Sequence, residues 1–151
     1  MVFKSQMNQA LALARAAAER GEVPVGAVIV APDGQVVAAE GNRMRERCDP
    51  TAHAEILAIR AACARAGSDR LPGHDLYVTL EPCPMCAAAI AYARIERLYY
   101  GASDPKSGGV AHGPQGFDHA QTHHVPGIYD GLAAVESAEM LRSFFKERRG
   151  S

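Results

Sequence analysis

Two short stretches, Thr51-Ala52-His53-Ala54-Glu55 and Glu81-Pro82-Cys83-Pro84-Met85-Cys86, restrict the folds open to this chain more than any other feature. They lie about 30 residues apart, yet their imidazole and two thiols make chemical sense only if the chain brings them to one point. Three N/S donors of this kind suit a tetrahedral Zn²⁺ and leave its fourth position open. An open position can bind a water and acidify it into a nucleophile near neutral pH. The carboxylate of Glu55 is then the natural proton carrier. The pattern reads as a hydrolytic zinc site.

The frame around those stretches is that of one globular domain spanning residues 1–151. A chain of 151 residues buries roughly 68–70% of its unfolded surface. No apolar run approaches the ~20 residues needed to span a bilayer. The N-terminus lacks the charged start, apolar core and small-residue cleavage site of a signal peptide, so a cytoplasmic location is expected. In that setting four cysteines read as thiols or metal ligands rather than as a disulfide framework. Cys48 and Cys63 read as bystanders. A net charge of −1 gives no global attraction to nucleic acid, so an RNA partner would need local patches.

Phe3, Met7, Ala10, Leu11, Ala14 and Ala18 recur at helical spacing before Gly21, which predicts a first helix over about 3–20. Val25–Val30 and Gln35–Ala39 flank Pro32-Asp33-Gly34 and predict an antiparallel hairpin. Residues 42–48 form a basic loop with Arg43, Arg45 and Arg47. Asp49-Pro50-Thr51 offers cap and first-turn residues for a helix running to about Arg65 and stopped by Gly67. Leu76–Leu80 reads as a buried strand, Pro84 opens a helix to about Ala93, and Arg97–Gly101 reads as a further strand. Residues 102–128, rich in Gly, Pro and His, make a connection of more than ordinary length. A last helix is expected from about Leu132 to Arg148. Strands alternating with helices imply an α/β fold whose sheet is covered on both faces, and the hairpin makes that sheet mixed.

Cys83 and Cys86 sit three apart across a helix start, so their side chains face one way. The positive end of the helix favours their thiolates. His53 falls in the first turn of the other helix, so both metal-bearing helices would start at the same end of the sheet. Glu55, two positions from His53, does not share its helix face and should stay outside the coordination sphere. A lone C-x-x-C also suits a thiol-redox pair, and a structural zinc would recruit a fourth ligand such as Cys48 or His74.

At these residues the chain resembles the zinc-dependent cytidine/adenosine deaminase superfamily, and within it the bacterial tRNA-specific adenosine deaminases that form inosine at an anticodon wobble position. The resemblance extends over Glu22–Ala27, Gly41-Asn42-Arg43, Asp49–Glu55, Leu76–Cys83, Gly101–Lys106 and Phe144–Arg149. It implies a three-layer α/β/α sandwich around a mixed five-stranded sheet, and one Zn²⁺ per subunit held by His53, Cys83 and Cys86. It also implies that Glu55 shuttles protons. Asn42 and the backbone of Ala54 would contact the base, with Val25 and Pro82 lining the pocket. Asp104, Lys106, Phe145 and Arg148 would meet a tRNA anticodon stem-loop by stacking and phosphate contacts. A homodimer and no membrane association complete the expectation.

Residues 108–124 depart from the family pattern: His112, His119, His123 and His124 replace an expected Leu-Asn pair. Surface loop histidines account for them more simply than a second metal. Two other readings compete with RNA editing. One is a deaminase of free bases or nucleosides, of guanine or cytosine type. The other is a non-catalytic structural zinc or thiol module.

Overall fold

The computed structural model describes residues 4–149, so Phe3 lies outside the described residues. The first helix, α1 (Met7–Glu19), buries Met7, Ala10, Leu11, Ala14 and Ala17 on one stripe. Strands β1 (Gly26–Val30) and β2 (Val36–Gly41) form the expected antiparallel hairpin. Its turn is fixed by the Asp33 carboxylate, which accepts the Gln35 N–H at 3.0 Å, and by Gly34 at φ 87°. Strand β3 (Asp75–Leu80) pairs antiparallel with β1 and parallel with β4 (Arg97–Ala102). A three-residue strand, β5 (Gly127–Tyr129), adds parallel to β4 and completes a mixed five-stranded sheet in the order β2-β1-β3-β4-β5.

Helices cover both faces. On one side pack α3 (Ala54–Ala66) and α4 (Pro84–Ala93), whose Ala58, Ala62 and Ile90 meet Ile29, Leu76, Val78, Leu98 and Tyr100. On the other lie α1 and the terminal helix α5 (Ala134–Arg149), over Val28, Tyr77 and Tyr99. The opposite faces follow from the two-residue period of a strand. Tyr77, Tyr99 and Tyr129 occupy matched positions on β3, β4 and β5 and stack in a column, with centroids 4.5 and 5.0 Å apart. Among the described residues no helix is long and apolar enough to cross a membrane.

Three expectations are corrected. The basic stretch 42–48 is not all loop: Met44–Arg47 forms a short helix, α2, because the buried carboxylate of Glu22 accepts the N–H groups of Arg45 and Glu46. A remote side chain thus supplies the cap that the local sequence lacks. Helix α3 begins at Ala54 rather than near Pro50, because Asp49 closes a turn with the Thr51 N–H and hydroxyl instead of capping the helix. Within residues 102–128, a 3₁₀ turn at Gly116–Asp118 and strand β5 replace continuous loop.

The contact between α1 and the sheet depends on Gly26. A Cβ there would strike the Ala10 carbonyl oxygen and lie 2.9 Å from the Ala14 nitrogen. Gly26→Ala is expected to destabilise the protein by about 1–3 kcal/mol, as overpacking does, read from the shift of a urea unfolding midpoint at unchanged slope.

Candidate metal centre and active site

His53 and Cys83 hold the same position in two helices. Each is the residue that caps its helix, with extended backbone at φ −70° and ψ 150° for His53 and 171° for Cys83. His53 therefore stands just before α3, not in its first turn as its sequence context suggests. The carbonyls of both caps accept the first helical bonds, from Leu57 at 3.0 Å and from Ala87 at 2.8 Å. Pro84 occupies the first turn of α4, where its missing N–H costs nothing. Cys86, one turn on, points back to the same place. Two helix N-termini thus aim their positive ends at one spot, which favours anionic sulfur.

His53 Nδ1 lies 3.7 Å from Cys83 Sγ and 3.6 Å from Cys86 Sγ. A tetrahedral zinc with Zn–S near 2.3 Å and Zn–N near 2.0–2.1 Å sets its N and S ligands roughly 3.6 Å apart, so the donor set fits the ion. His53, Cys83 and Cys86 are the one such group of His, Cys, Asp and Glu side chains among the described residues, their ligand atoms all within 4.8 Å of one another. Cys48, exposed, and His74, bonded through Nδ1 to the Pro72 carbonyl, stay apart from it.

The protonation pattern without metal follows from the same contacts. Cys83 is held at about 4 by the hydrogen bond from Cys86, helped by that from His53, against the cost of burial. Cys86, as the donor to Cys83 and itself buried, is pushed up. The hydrogen bond to Cys83 raises His53. Glu55, 4% exposed, is pushed up first by burial. Its carboxyl reaches the Cys86 thiol but stands outside the ligand group, as its spacing from His53 requires.

The cavity at the site measures about 130 Å³ and is lined by His53, Glu55, Cys83, Val25, Asn42 and Asp104, with Val23, Met44, Leu80, Glu81 and Ser107 between them. Asn42 crosses its floor: Nδ2 donates to the Val23 carbonyl at 3.0 Å and Oδ1 accepts the Ala54 N–H at 2.8 Å. The Ala54 N–H is thus given to Asn42, and the Ala54 carbonyl is the part of that backbone left for a base edge. Pro82 does not line the cavity; it is buried, and its carbonyl accepts the Gly109 N–H at 2.7 Å. Lys106, Phe145 and Arg148 stand outside the cavity, along a larger groove of about 740 Å³ that also includes Arg142. The two spaces share Val23, Leu80, Asp104 and Ser107 as walls.

The two phenylalanines divide: Phe144 packs inward under the Arg148 guanidinium, 4.6 Å above its ring, while Phe145 is 46% exposed. The histidines of 108–124 do separate jobs. His112 bonds Glu81, His124 Nε2 donates to the Ile95 carbonyl at 2.7 Å, and His123 lies beside the Tyr92 ring. Glu81 and Arg142 are the residues that sequence reasoning missed. A carboxylate ending the apolar strand Leu76–Leu80 was the available signal for Glu81; Arg142 carried none.

Cys86→Ala is expected to lower zinc affinity by more than about 100-fold, since losing merely an outer hydrogen-bond partner of a ligand costs roughly 10–100-fold. Elemental analysis after dialysis checks the metal, and a fall in melting temperature should accompany its loss. Asn42→Ala should cost about 1–3 kcal/mol by leaving the Ala54 N–H and Val23 carbonyl unpaired, measured by chemical denaturation.

Comparison with known proteins agrees with this geometry. Residues 3–102 match the model of the cytidine and deoxycytidylate deaminase zinc-binding region. The tRNA-specific adenosine deaminase of Agrobacterium fabrum is 62% identical over 143 residues, 95% of this chain and 93% of that protein. A structure solved in studies of A-to-I editing by tRNA:A34 deaminases at the wobble position of transfer RNA superposes with a TM-score of 0.87. It is 61% identical, over 89% of this chain and 97% of that one. The guanine deaminase of Bacillus subtilis is more distant, at 32% identity and a TM-score of 0.66 over 99% of this chain and 95% of that one. With the ligand set, the sheet order and these likenesses in agreement, the chain belongs to the cytidine and deoxycytidylate deaminase zinc-binding family.

Proposed function

We propose that this chain is a tRNA adenosine deaminase that hydrolyses the wobble adenosine of an anticodon to inosine, with one zinc ion per chain on His53, Cys83 and Cys86. Zinc in such a set supplies an acidified water near neutral pH. Glu55 would take a proton from the attacking water and pass it to the purine ring nitrogen as the oxygen adds at C6. It would then move the remaining proton of the new C6 hydroxyl to the amine, so that the C–N bond breaks, the C6 oxygen becomes a carbonyl and ammonia leaves. Burial, which raises its carboxyl, suits a group that must both accept and release protons. Asn42, its amide tied to Ala54 and Val23, has a second Nδ2 hydrogen to offer the base. Val25 adds an apolar wall.

The observation that carries a polynucleotide substrate is the groove beside the cavity. Lys106, Arg142 and Arg148 supply cations and Phe145 an open aromatic face, on a chain whose net charge is only −1. Such a combination holds phosphates and stacks unpaired bases. An anticodon loop already presents its base unpaired, which lowers the cost of extruding it. The likeness to the Agrobacterium fabrum enzyme supports the same substrate. The more distant likeness to a guanine deaminase keeps a free base as the competing substrate.

We read the whole chain as a single deaminase domain acting in the cytoplasm, where its substrate is found, and as a homodimer. An apolar recess along α4, lined by Ala87, Ala88, Ala91 and Tyr92, supports self-association, and Tyr92 is 68% exposed. Sedimentation at micromolar concentration tests that face.

The zinc-loaded protein should convert a wobble adenosine in an anticodon stem-loop to inosine and leave free guanine and adenine largely unchanged. Failure to form inosine defeats the reading. Glu55→Gln should keep its zinc and lose about 10²–10⁴-fold in kcat. A structural zinc or thiol module would lose nothing.

A further inference from the structure

Glu81 joins strand β3 to the first metal-ligand cysteine, and its side chain is buried. One carboxylate oxygen accepts the Asp104 N–H at 3.1 Å and His112 Nδ1 at 2.8 Å. The other accepts the N–H groups of Val110, Ala111 and His112 at 3.2, 3.0 and 3.1 Å. A carboxylate offers about four acceptor sites, so these donors saturate it. All of them belong to one loop, residues 104–112.

That loop also supplies Asp104 and Ser107 to the cavity wall and Lys106 to the groove. It passes so close to Glu81 that a Cβ on Gly108 would strike Oε2. Within the loop, the Asp104 side chain accepts the N–H groups of Lys106 and Ser107, at 3.2 and 3.0 Å. The side chain that faces the substrate is thus oriented by its own turn, and the turn is anchored by Glu81.

We propose that Glu81 is a positioning residue for the deamination, fixing the substrate-side wall, Asp104 to Ser107, relative to Cys83, two residues along the chain. This deepens the deaminase reading and rests on it. Glu81 does not touch the reacting atoms; it acts through the loop. An amide of the same size keeps one acceptor oxygen and turns an NH₂ group toward N–H donors. Glu81→Gln therefore releases part of the loop while changing little volume. His112→Ala removes one donor from a ring that is itself partly exposed.

The test compares zinc-loaded wild type, Glu81→Gln and His112→Ala on the wobble-adenosine stem-loop. Zinc content and amide hydrogen exchange are read in parallel. Glu81→Gln is expected to keep its zinc, to exchange faster only within 104–112, and to raise KM about tenfold with kcat changed less than about threefold. His112→Ala should show the same pattern with a rise in KM of about threefold. Wild-type KM in both variants overturns the proposal. So does zinc loss in Glu81→Gln, or faster exchange spread over the whole chain, since either makes Glu81 a support of the metal site or of the fold. If Glu81→Gln does not fold, His112→Ala decides alone. A wild type that makes no inosine overturns the deaminase reading instead, and the exchange pattern then still tests the clamp.

Discussion

Two helix starts held side by side are the constraint on which the rest of this molecule depends. Bringing the His53 imidazole and the sulfurs of Cys83 and Cys86 within 4.8 Å of one another removes them from water, at a cost. The sheet imposes the approach. Because β1 lies between β2 and β3, the segments leaving β2 and β3 emerge as neighbours, and α3 and α4 pack on the same face. His53 on one side and Cys83 with Cys86 on the other are then placed by backbone that already satisfies its own hydrogen bonds. A metal bound there would meet a set of donors whose geometry the apolar layers beneath have fixed, which is the sense in which the candidate site is preorganised.

Three buried glutamates show how one residue type serves different ends. Glu22 caps a helix that has no cap of its own. Burial dominates at Glu55 and raises its carboxyl, the condition for moving protons. At Glu81 burial acts in the same direction, but the His112 ring and the N–H groups of Asp104, Val110 and His112 outweigh it and hold the carboxyl below its ordinary range. What separates the last two is the number of donors turned toward each oxygen pair.

The candidate metal site was legible in the sequence because its chemistry is carried by residue type and spacing. His53, Cys83 and Cys86 converge as expected, and Glu55 stands apart from them. The apolar stripe of α1 and the Pro32-Asp33-Gly34 turn were equally plain, since both rest on local periodicity or local backbone preference. What was hidden depends on which partner each polar group finds. The start of α3 moved because Asp49 found Thr51 as a nearer partner. Helix α2 exists because Glu22, more than 20 residues away, faces its N-H groups. The bond from the Ala54 N–H to Asn42, 12 residues earlier, had no signature in the local sequence. Strand β5 is three residues long, below the length at which alternation can be seen; the count of five strands came with the family resemblance.

The tyrosine column across β3, β4 and β5 has a further consequence. The chain contains no tryptophan, and three of its five tyrosines stand in that one stack. Stacked chromophores couple, so the protein's near-ultraviolet circular dichroism is in good part a record of how β3, β4 and β5 are held against one another. The signal arises on the sheet face turned away from α3 and α4. A spectroscopist following it would be watching the opposite face of the sheet rather than the chemistry.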